Sequence, residues 1–415
     1  MSNKGIHPIL SMRTLTLAFV ATLLLGLSAQ AQEPQGTPPQ GPPPQGQGPQ
    51  RGPGGPGGPR GDRRGREATT STEKRPYKEW VKTAPRLSDA YMQTPEAVRV
   101  ADLVMLYQCV NGGWPKNIYF PAELNDDERQ AVIEGQSNQD VTTIDNDATT
   151  TEIHFLSRVY NATGQEKYRD AALRGIEYLL KSQYAHGGWP QFWPKTGGYW
   201  TAVTYNDDAM VNTMVQLRQI YEHQAPFAYV PDEVCDRARQ AFDKGVECIL
   251  NTQIKWNGQL TVWCAQHDEV TLAPCKARAY ELPSFSGSES VGIVELLMSL
   301  PDPSDRVVAA VEGAVAWFEA HKITGIHREE YTDDQGQRDY RMVPCPQDDY
   351  PCPTLWARFY TLEDCQPFFS DRDGVKRFDI SEIGHERRTG YGWYTADPQR
   401  VLDRYPEWKA LRSQN

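Results

Sequence analysis

A glycine-bounded helix end recurs about every seventy residues, and that period restricts the fold more than any other feature of the chain. Gln108-Cys-Val-Asn-Gly-Gly-Trp114-Pro115 is followed by Gln183-Tyr-Ala-His-Gly-Gly-Trp189-Pro190, then by Gln253-Ile-Lys-Trp-Asn-Gly258 with Trp263 shortly after. The glycines at 112, 187 and 258 stand 75 and then 71 residues apart, with a fainter echo at Ala320-His-Lys-Ile-Thr-Gly325. Glycine past a helix end accepts the left-handed conformation that stops a helix, and proline prevents its continuation.

Between the stops, apolar residues keep helical spacing. Ala97, Ala101, Val104 and Tyr107 form one stripe, and Ala172, Ile176, Leu179 and Gln183 another. Met210, Met214, Leu217 and Tyr221 repeat it, as do Val234, Ala238, Ala241, Phe242, Cys248 and Ile249, and later Val307, Val311, Ala314 and Phe318. Each is the signature of a helix that buries one face, and strand alternation is scarce. Two helices per period mean stacked αα-hairpins. Hairpins of this kind can close into a ring, so the sequence predicts an all-α fold. The expected architecture is an α/α toroid, an incomplete (α/α) barrel of helical hairpins, whose long loops form a cleft at one mouth.

Those loops are rich in acids. Asp145-Asn146-Asp147, Asn206-Asp207-Asp208 and Ser286-Gly-Ser-Glu289 each precede a new helix. Asp and Asn are favoured helix N-caps, stabilising by about 1 kcal/mol each, and capping is one reading of these clusters. A cap needs a single such residue, however, and the first two loops each bring two acids and an Asn. The other reading is a site for a hard cation. Calcium takes 6–8 oxygen ligands, and the absence of His and Cys from both clusters speaks against zinc or copper.

The ends of the chain have different chemistry. Lys4 and Arg13 precede an apolar run from Leu15 to Leu27, and Ser28-Ala29-Gln30-Ala31 supplies a small-x-small cleavage pattern, so residues 1–31 are read as a signal peptide. The run of about 13 residues is short of the roughly 20 that span a bilayer, so no transmembrane segment is expected. Residues 32–75 form a Pro/Gly/Gln-rich linker with little apolar surface to offset ordering, leaving 76–415 as the catalytic domain. The protein is therefore expected to be exported, to the medium, the periplasm or the cell surface. The leader carries +2 and residues 32–66 carry +3, so the overall −11 places −16 on residues 67–415. So acidic a domain argues against nucleic acid as partner, and it accepts an anionic polymer only where a metal and a few arginines reverse the local field. Eight cysteines suit an oxidising compartment. Cys264–Cys275 and Cys345–Cys352 are the closest loop pairs, whereas Cys109, Cys235 and Cys248 fall in helical patterns that suit buried thiols.

Six motifs in order carry a resemblance. NGGWPKN at 111–117, TTIDNDATTTEIHFL at 142–156, GGWPQFWP at 187–194, YNDDAM at 205–210, KARAYELPSFSGSES at 276–290 and WARFYTLEDCQPFFSDRDG at 356–374 resemble the family-10 polysaccharide lyases. These are pectate lyases with an α/α toroid fold, and the resemblance covers roughly residues 95 to 405. It implies that Arg278 is the catalytic base and that Asp145 and Asp207 hold an essential Ca2+, with Asp147, Asp208 and Asn146 beside them. It further implies that Arg358, Arg372 and Lys276 bind the carboxylates of polygalacturonate or pectin. The protein is expected to act as a monomer.

The chemistry fits those residue types. β-Elimination on a uronate removes the proton at C5, beside the carboxylate, and expels the glycosidic oxygen at C4. Charge then accumulates on a group that is already ionised, and calcium and guanidinium groups stabilise it as it develops. An arginine acts as base only where its charge is disfavoured and the medium is alkaline, so activity is expected to rise towards about pH 9–10. The plainer reading of Arg278 is a salt bridge or a substrate clamp, and that of Arg358 and Arg372 is surface pairing, for Arg372 with Asp371 or Asp373. Trp114, Trp189 and Trp193 are candidates to stack on sugar faces, against the commoner fate of packing. An inverting glycoside hydrolase on the same fold would use two of the acids and leave the arginines unexplained. A terpenoid cyclase fits the Gln-x-x-x-Gly-Gly-Trp repeat but not the leader, and a non-catalytic pectin-binding protein would show no turnover.

Overall fold

The computed structural model describes residues 76–346 and 351–412, so the expected signal peptide and linker lie outside the described residues. Among the described residues there are twelve α-helices: α1 (Pro76–Thr83), α2 (Asp89–Met92), α3 (Pro95–Leu106), α4 (Asp126–Gly135), α5 (Thr150–Thr163), α6 (Glu166–Lys181), α7 (Ala209–Tyr221), α8 (Asp232–Thr252), α9 (Glu289–Met298), α10 (Asp305–Ala320), α11 (His385–Thr389) and α12 (Pro398–Arg412). Consecutive helices pack in pairs, α5 with α6, α7 with α8 and α9 with α10. The pairs also touch one another in two rows: α5 meets α7 and α7 meets α9, while α6 meets α8 and α8 meets α10. Sequence explains the rows. Helix α9 (ESVGIVELLM) is apolar nearly all round and almost wholly buried, whereas α6 and α8 bury one stripe and keep charges on the other.

The seventy-residue period is a repeated set of staples. Gly112 and Gly187 take φ of 95° and 98°, and a Cβ there would come within 2.3 Å of the Arg174 carbonyl oxygen and 1.9 Å of the Lys244 carbonyl oxygen. The turn therefore lies directly on the next outer helix, a closeness that only glycine permits. The repeated glutamine fixes the contact. Gln108 Nε2 donates to Gly112 O and Ala171 O, Gln183 Nε2 to Gly187 O and Ala241 O, and Gln253 Nε2 to Thr261 O and Ala310 O, all at 2.8–2.9 Å. Each amide thus ties its own turn to α6, α8 or α10 in succession. The repeated tryptophan closes the helix before it: Trp114, Trp189 and Trp263 donate from Nε1 to Val104 O, Leu179 O and Ile249 O at 2.7–2.8 Å. Trp356 does the same to Phe318 O at 2.9 Å.

The all-α expectation overlooked short strands. Six two-stranded antiparallel sheets occur among the described residues, the longest pairing Ile326–Thr332 with Arg338–Pro344. Its signal was the turn at Asp333-Asp-Gln-Gly336, where Asp333 Oδ1 accepts from the Gln335 and Gln337 amides and Gly336 takes φ of 77°. Cys345 and Cys352 are disulfide-bonded after this hairpin, whereas Cys264 and Cys275 are free, as are Cys109, Cys235 and Cys248. Two apolar cores result. A large one fills the helical rows, and a smaller one (Ala265, Tyr340, Phe359, Phe368, Phe369, Ile380, Ile383, Trp393) underlies the later loops.

Candidate active site

The acid loops sit at the starts of α5 and α7 and share an unusual backbone. Asn146 and Asp147 have φ of 54° and 59°, and Asp207 and Asp208 have φ of 51° and 59°. Left-handed non-glycine residues cost of order 1–3 kcal/mol each, and Asn and Asp bear it best. Capping does not account for them, because neither α5 nor α7 begins with a side-chain cap hydrogen bond. The side chains point elsewhere. Asp145 is buried at 3% exposure, its Oδ2 in a close ion pair with the Lys116 ammonium and its Oδ1 without a partner among the described residues. Asp147 Oδ1 accepts from Asn212 Nδ2 at 2.7 Å, and Asn146 Nδ2 donates to Asn117 Oδ1 at 2.8 Å. Asp207 accepts from Asn206 Nδ2 at 2.7 Å and from Arg358 Nη2 at 3.2 Å.

Crowding of like charge marks this group. Burial, then repulsion from Asp207 and Asp145, raises the Asp147 carboxyl against the opposing bond from Asn212. Burial, with Glu289, Asp207 and Asp147 nearby, pushes Asp208 up to about 7. Buried Glu289 is also raised by its burial, against the attraction of Arg358. The Asp208 carboxylate leans on α9: a Cβ on Gly292 would stand 2.3 Å from its Oδ1. It lines a cavity of about 450 Å³ with Asn212, Arg218 and Glu295.

The later loops supply a group of cationic side chains, the arginine wall. Arg278 donates from Nε to Glu281 Oε2 at 2.8 Å and from Nη2 to Glu281 Oε1, leaving Nη1 outside the pair. Burial works against its charge, but the Glu281 carboxylate outweighs that and holds the guanidinium above its usual pKa. Tyr391 donates to the same Glu281 oxygen at 2.8 Å, and its ring lies 5.7 Å from the Arg278 guanidinium and 4.5 Å from that of Arg358. Arg358 is buried and bound to Glu289, Asp207 and Asn206. This bridge ties the acid loops to the arginine wall, so Arg358, expected to bind a substrate carboxylate, is engaged here by protein carboxylates. Arg372 is exposed and pairs with Glu386 at 3.1 Å, rather than with Asp371 or Asp373. Its loop lies against the Lys276 segment, since a Cβ on Gly374 would be 3.4 Å from Lys276 Nζ and 3.1 Å from Ala279 O. Tyr199 joins the walls from another side. Its hydroxyl is raised by burial, opposed by Arg278 and reinforced by Glu281 and Asp145, so it stands within electrostatic reach of both.

Two expected sugar-stacking residues are corrected outright. Trp114 and Trp189 are 0% exposed, because their rings fill the core where their Nε1 groups close the preceding helices. Trp193 packs edge-on to Tyr178. Sequence analysis placed Glu289 in an acid-rich loop but missed Lys116, Glu281 and Tyr391. Only KARAYE, with an acid three residues after Arg278, offered a local signal for any of them.

Among the described residues no group of three His, Cys, Asp or Glu side chains forms a ready-made metal site. The donors nevertheless suit a hard cation. Asp145, Asp147 and Asp207 offer only oxygen, Asp145 Oδ1 is buried without a partner, and their mutual repulsion is of the kind a cation relieves.

A protein family described as pectic acid lyase matches residues 108–402. Two solved structures are similar at 37% identity: a family 10 polysaccharide lyase from Cellvibrio cellulosa, and a point mutant of such a lyase from the same organism in complex with trigalacturonic acid. They cover 81% and 80% of this chain and 97% of their own, with TM-scores of 0.66 and 0.65. Comparison with curated proteins gave no match.

Proposed function

The chain belongs to the pectic acid lyase family and is a pectate lyase, and from that premise we propose that it cleaves (1→4)-α-D-galacturonan by calcium-dependent β-elimination, releasing 4,5-unsaturated oligogalacturonides. The observation that carries this reading is the pairing of a carboxylate wall with a guanidinium wall. Asp145 and Arg278 both act on Tyr199, while Asp207 reaches Arg278 through Arg358 and Tyr391. The trigalacturonic acid bound by the similar lyase mutant supports a uronate polymer as substrate.

Asp145, Asp147 and Asp207 would hold the calcium, with water and substrate oxygens completing its shell. When bound, the ion neutralises the uronate carboxylate and stabilises the charge that gathers there. The other groups act on the sugar. In its neutral form, Arg278 takes the C5 proton at Nη1, the nitrogen left out of the Glu281 pair. The C5–H electrons form the C4=C5 double bond while the C4–O bond breaks and its electrons leave with the glycosidic oxygen. Lys276 and Arg372 draw neighbouring carboxylates to the arginine wall, and Asn146 lies beside the metal-binding acids as a substrate contact. Arg358 positions Asp207 and Glu289.

The fold and location are read in the same way. Two rows of paired helices support an α/α toroid with the acid loops at its mouth. No described helix is long and apolar enough to cross a membrane, and the leader supports export. The direct test is polygalacturonate with and without a calcium chelator, followed by the ultraviolet absorbance of the unsaturated product. Calcium-dependent growth of absorbance is expected. New reducing ends without absorbance would replace this reading with hydrolysis.

A further inference from the structure

Lys195 is a cation that the elimination does not use. It lies in the loop between the Trp189 turn and α7, half-buried, with its Nζ 3.9 Å from the Trp200 ring centroid and 5.3 Å from that of Phe192. No acidic side chain among the described residues pairs with it. In a domain with so large an acidic excess, a lysine held on aromatic rings without a carboxylate is a distinctive placement.

The loop is built to hold this arrangement. Gly198 takes φ of 72°, and a Cβ there would stand 2.8 Å from Trp200 Nε1, so the absence of a side chain lets the indole fold back. Tyr199 packs on Trp200 at 4.4 Å, Phe192 meets it edge-on at 6.3 Å, and the Phe192 amide donates to Trp200 O at 3.2 Å. The platform adjoins the reacting groups. Lys116, the partner of Asp145, lies over the same Phe192 ring at 5.2 Å, and Tyr199 feels both Asp145 and Arg278.

We propose that Lys195, with Phe192 and Trp200, forms a subsite for one further galacturonate unit of the bound chain, beyond the unit that loses its proton. The inference rests on the reading of the protein as a galacturonan lyase. The ammonium pairs with the free carboxylate of that unit, and the rings offer apolar surface to the sugar face. A methyl ester at that unit removes the charge the lysine recognises, so the subsite selects de-esterified stretches of polymer.

Steady-state kinetics of wild type, Lys195→Gln, Lys195→Arg and Trp200→Ala on polygalacturonate, on the shortest oligomer cleaved and on highly methyl-esterified pectin test this. Lys195→Gln is expected to raise KM for polygalacturonate about tenfold with kcat nearly unchanged, a loss in the range of one charged hydrogen bond. On the shortest oligomer and on esterified pectin the same variant should match wild type, and Lys195→Arg should restore most of the affinity for polymer. An unchanged KM on polymer, with only a lower melting temperature, would mean that Lys195 merely packs on Trp200 and would overturn the proposal. So would an equal loss on polymer and on the shortest oligomer. A wild type silent on every substrate refutes the lyase reading instead, and the two failures are therefore distinguishable.

Discussion

Arg278 presents an unusual base, because the carboxylate that aligns it also keeps it charged. Nε and Nη2 are committed to Glu281, and the paired guanidinium sits above its ordinary pKa. The deprotonated fraction then grows tenfold per pH unit without levelling, so log(kcat) should climb with unit slope beyond about pH 9. Glu281→Gln removes the stabilising charge, and a pH–rate profile of that variant should move to lower pH by about one unit or more. Arg278→Ala should lower kcat by about a thousandfold while polymer binding measured by affinity electrophoresis persists. At this scale the sequence was partly legible. The acids announced themselves by an excess over what helix caps need, and they do not cap. Trp114 and Trp189 misled, because a tryptophan beside a glycine turn looks the same whether its ring faces solvent or a helix end. Glu281 and Tyr391 lie 110 residues apart and meet only through the fold.

The repeated turns make separable predictions at the scale of elements. Gly187→Ala forces a Cβ against the Lys244 carbonyl in a left-handed conformation, and thermal unfolding should show a loss of about 3 kcal/mol or more. Gly258 takes φ of 80° with nothing within 4 Å of the same added atom, so Gly258→Ala should cost only about 1 kcal/mol. Gln253→Leu would leave the Thr261 and Ala310 carbonyls without their donor, at roughly 1–3 kcal/mol for each left unsatisfied. The hairpin period was readable because glycine, glutamine and tryptophan recur at fixed offsets. The strands of 326–344 were not, because their burial follows no strict alternation and the pairing depends on one turn.

For the molecule as a whole, two buried acids give stability opposite pH dependences. Glu152, buried beneath Trp80, is pushed up to about 7 by its burial. Its folded pKa exceeds its unfolded value, so the fold favours its protonated form and loses stability as pH rises from about 4.5 to 7. Glu152→Gln should therefore stabilise the protein by roughly 2–3 kcal/mol at alkaline pH and by little at pH 4, measured by denaturant titration at both. Asp339 runs the other way: Arg388 holds its carboxyl down to about 2. That contribution is fully present above the unfolded carboxylate range and disappears as pH falls through about 2. Charge read from the sequence indicated an acidic domain, but which acids are buried against tryptophan and which against arginine depends on packing across 49 to 72 residues.

The glutamine staples bear on how a polymer gets in. The three stapled turns are each clamped to the neighbouring hairpin, so the helical rows that carry the acid loops stand at a set spacing before any sugar arrives. Capture should follow encounter and charge, slowing steeply with added salt, and a long chain should engage at an interior stretch as readily as at its tip.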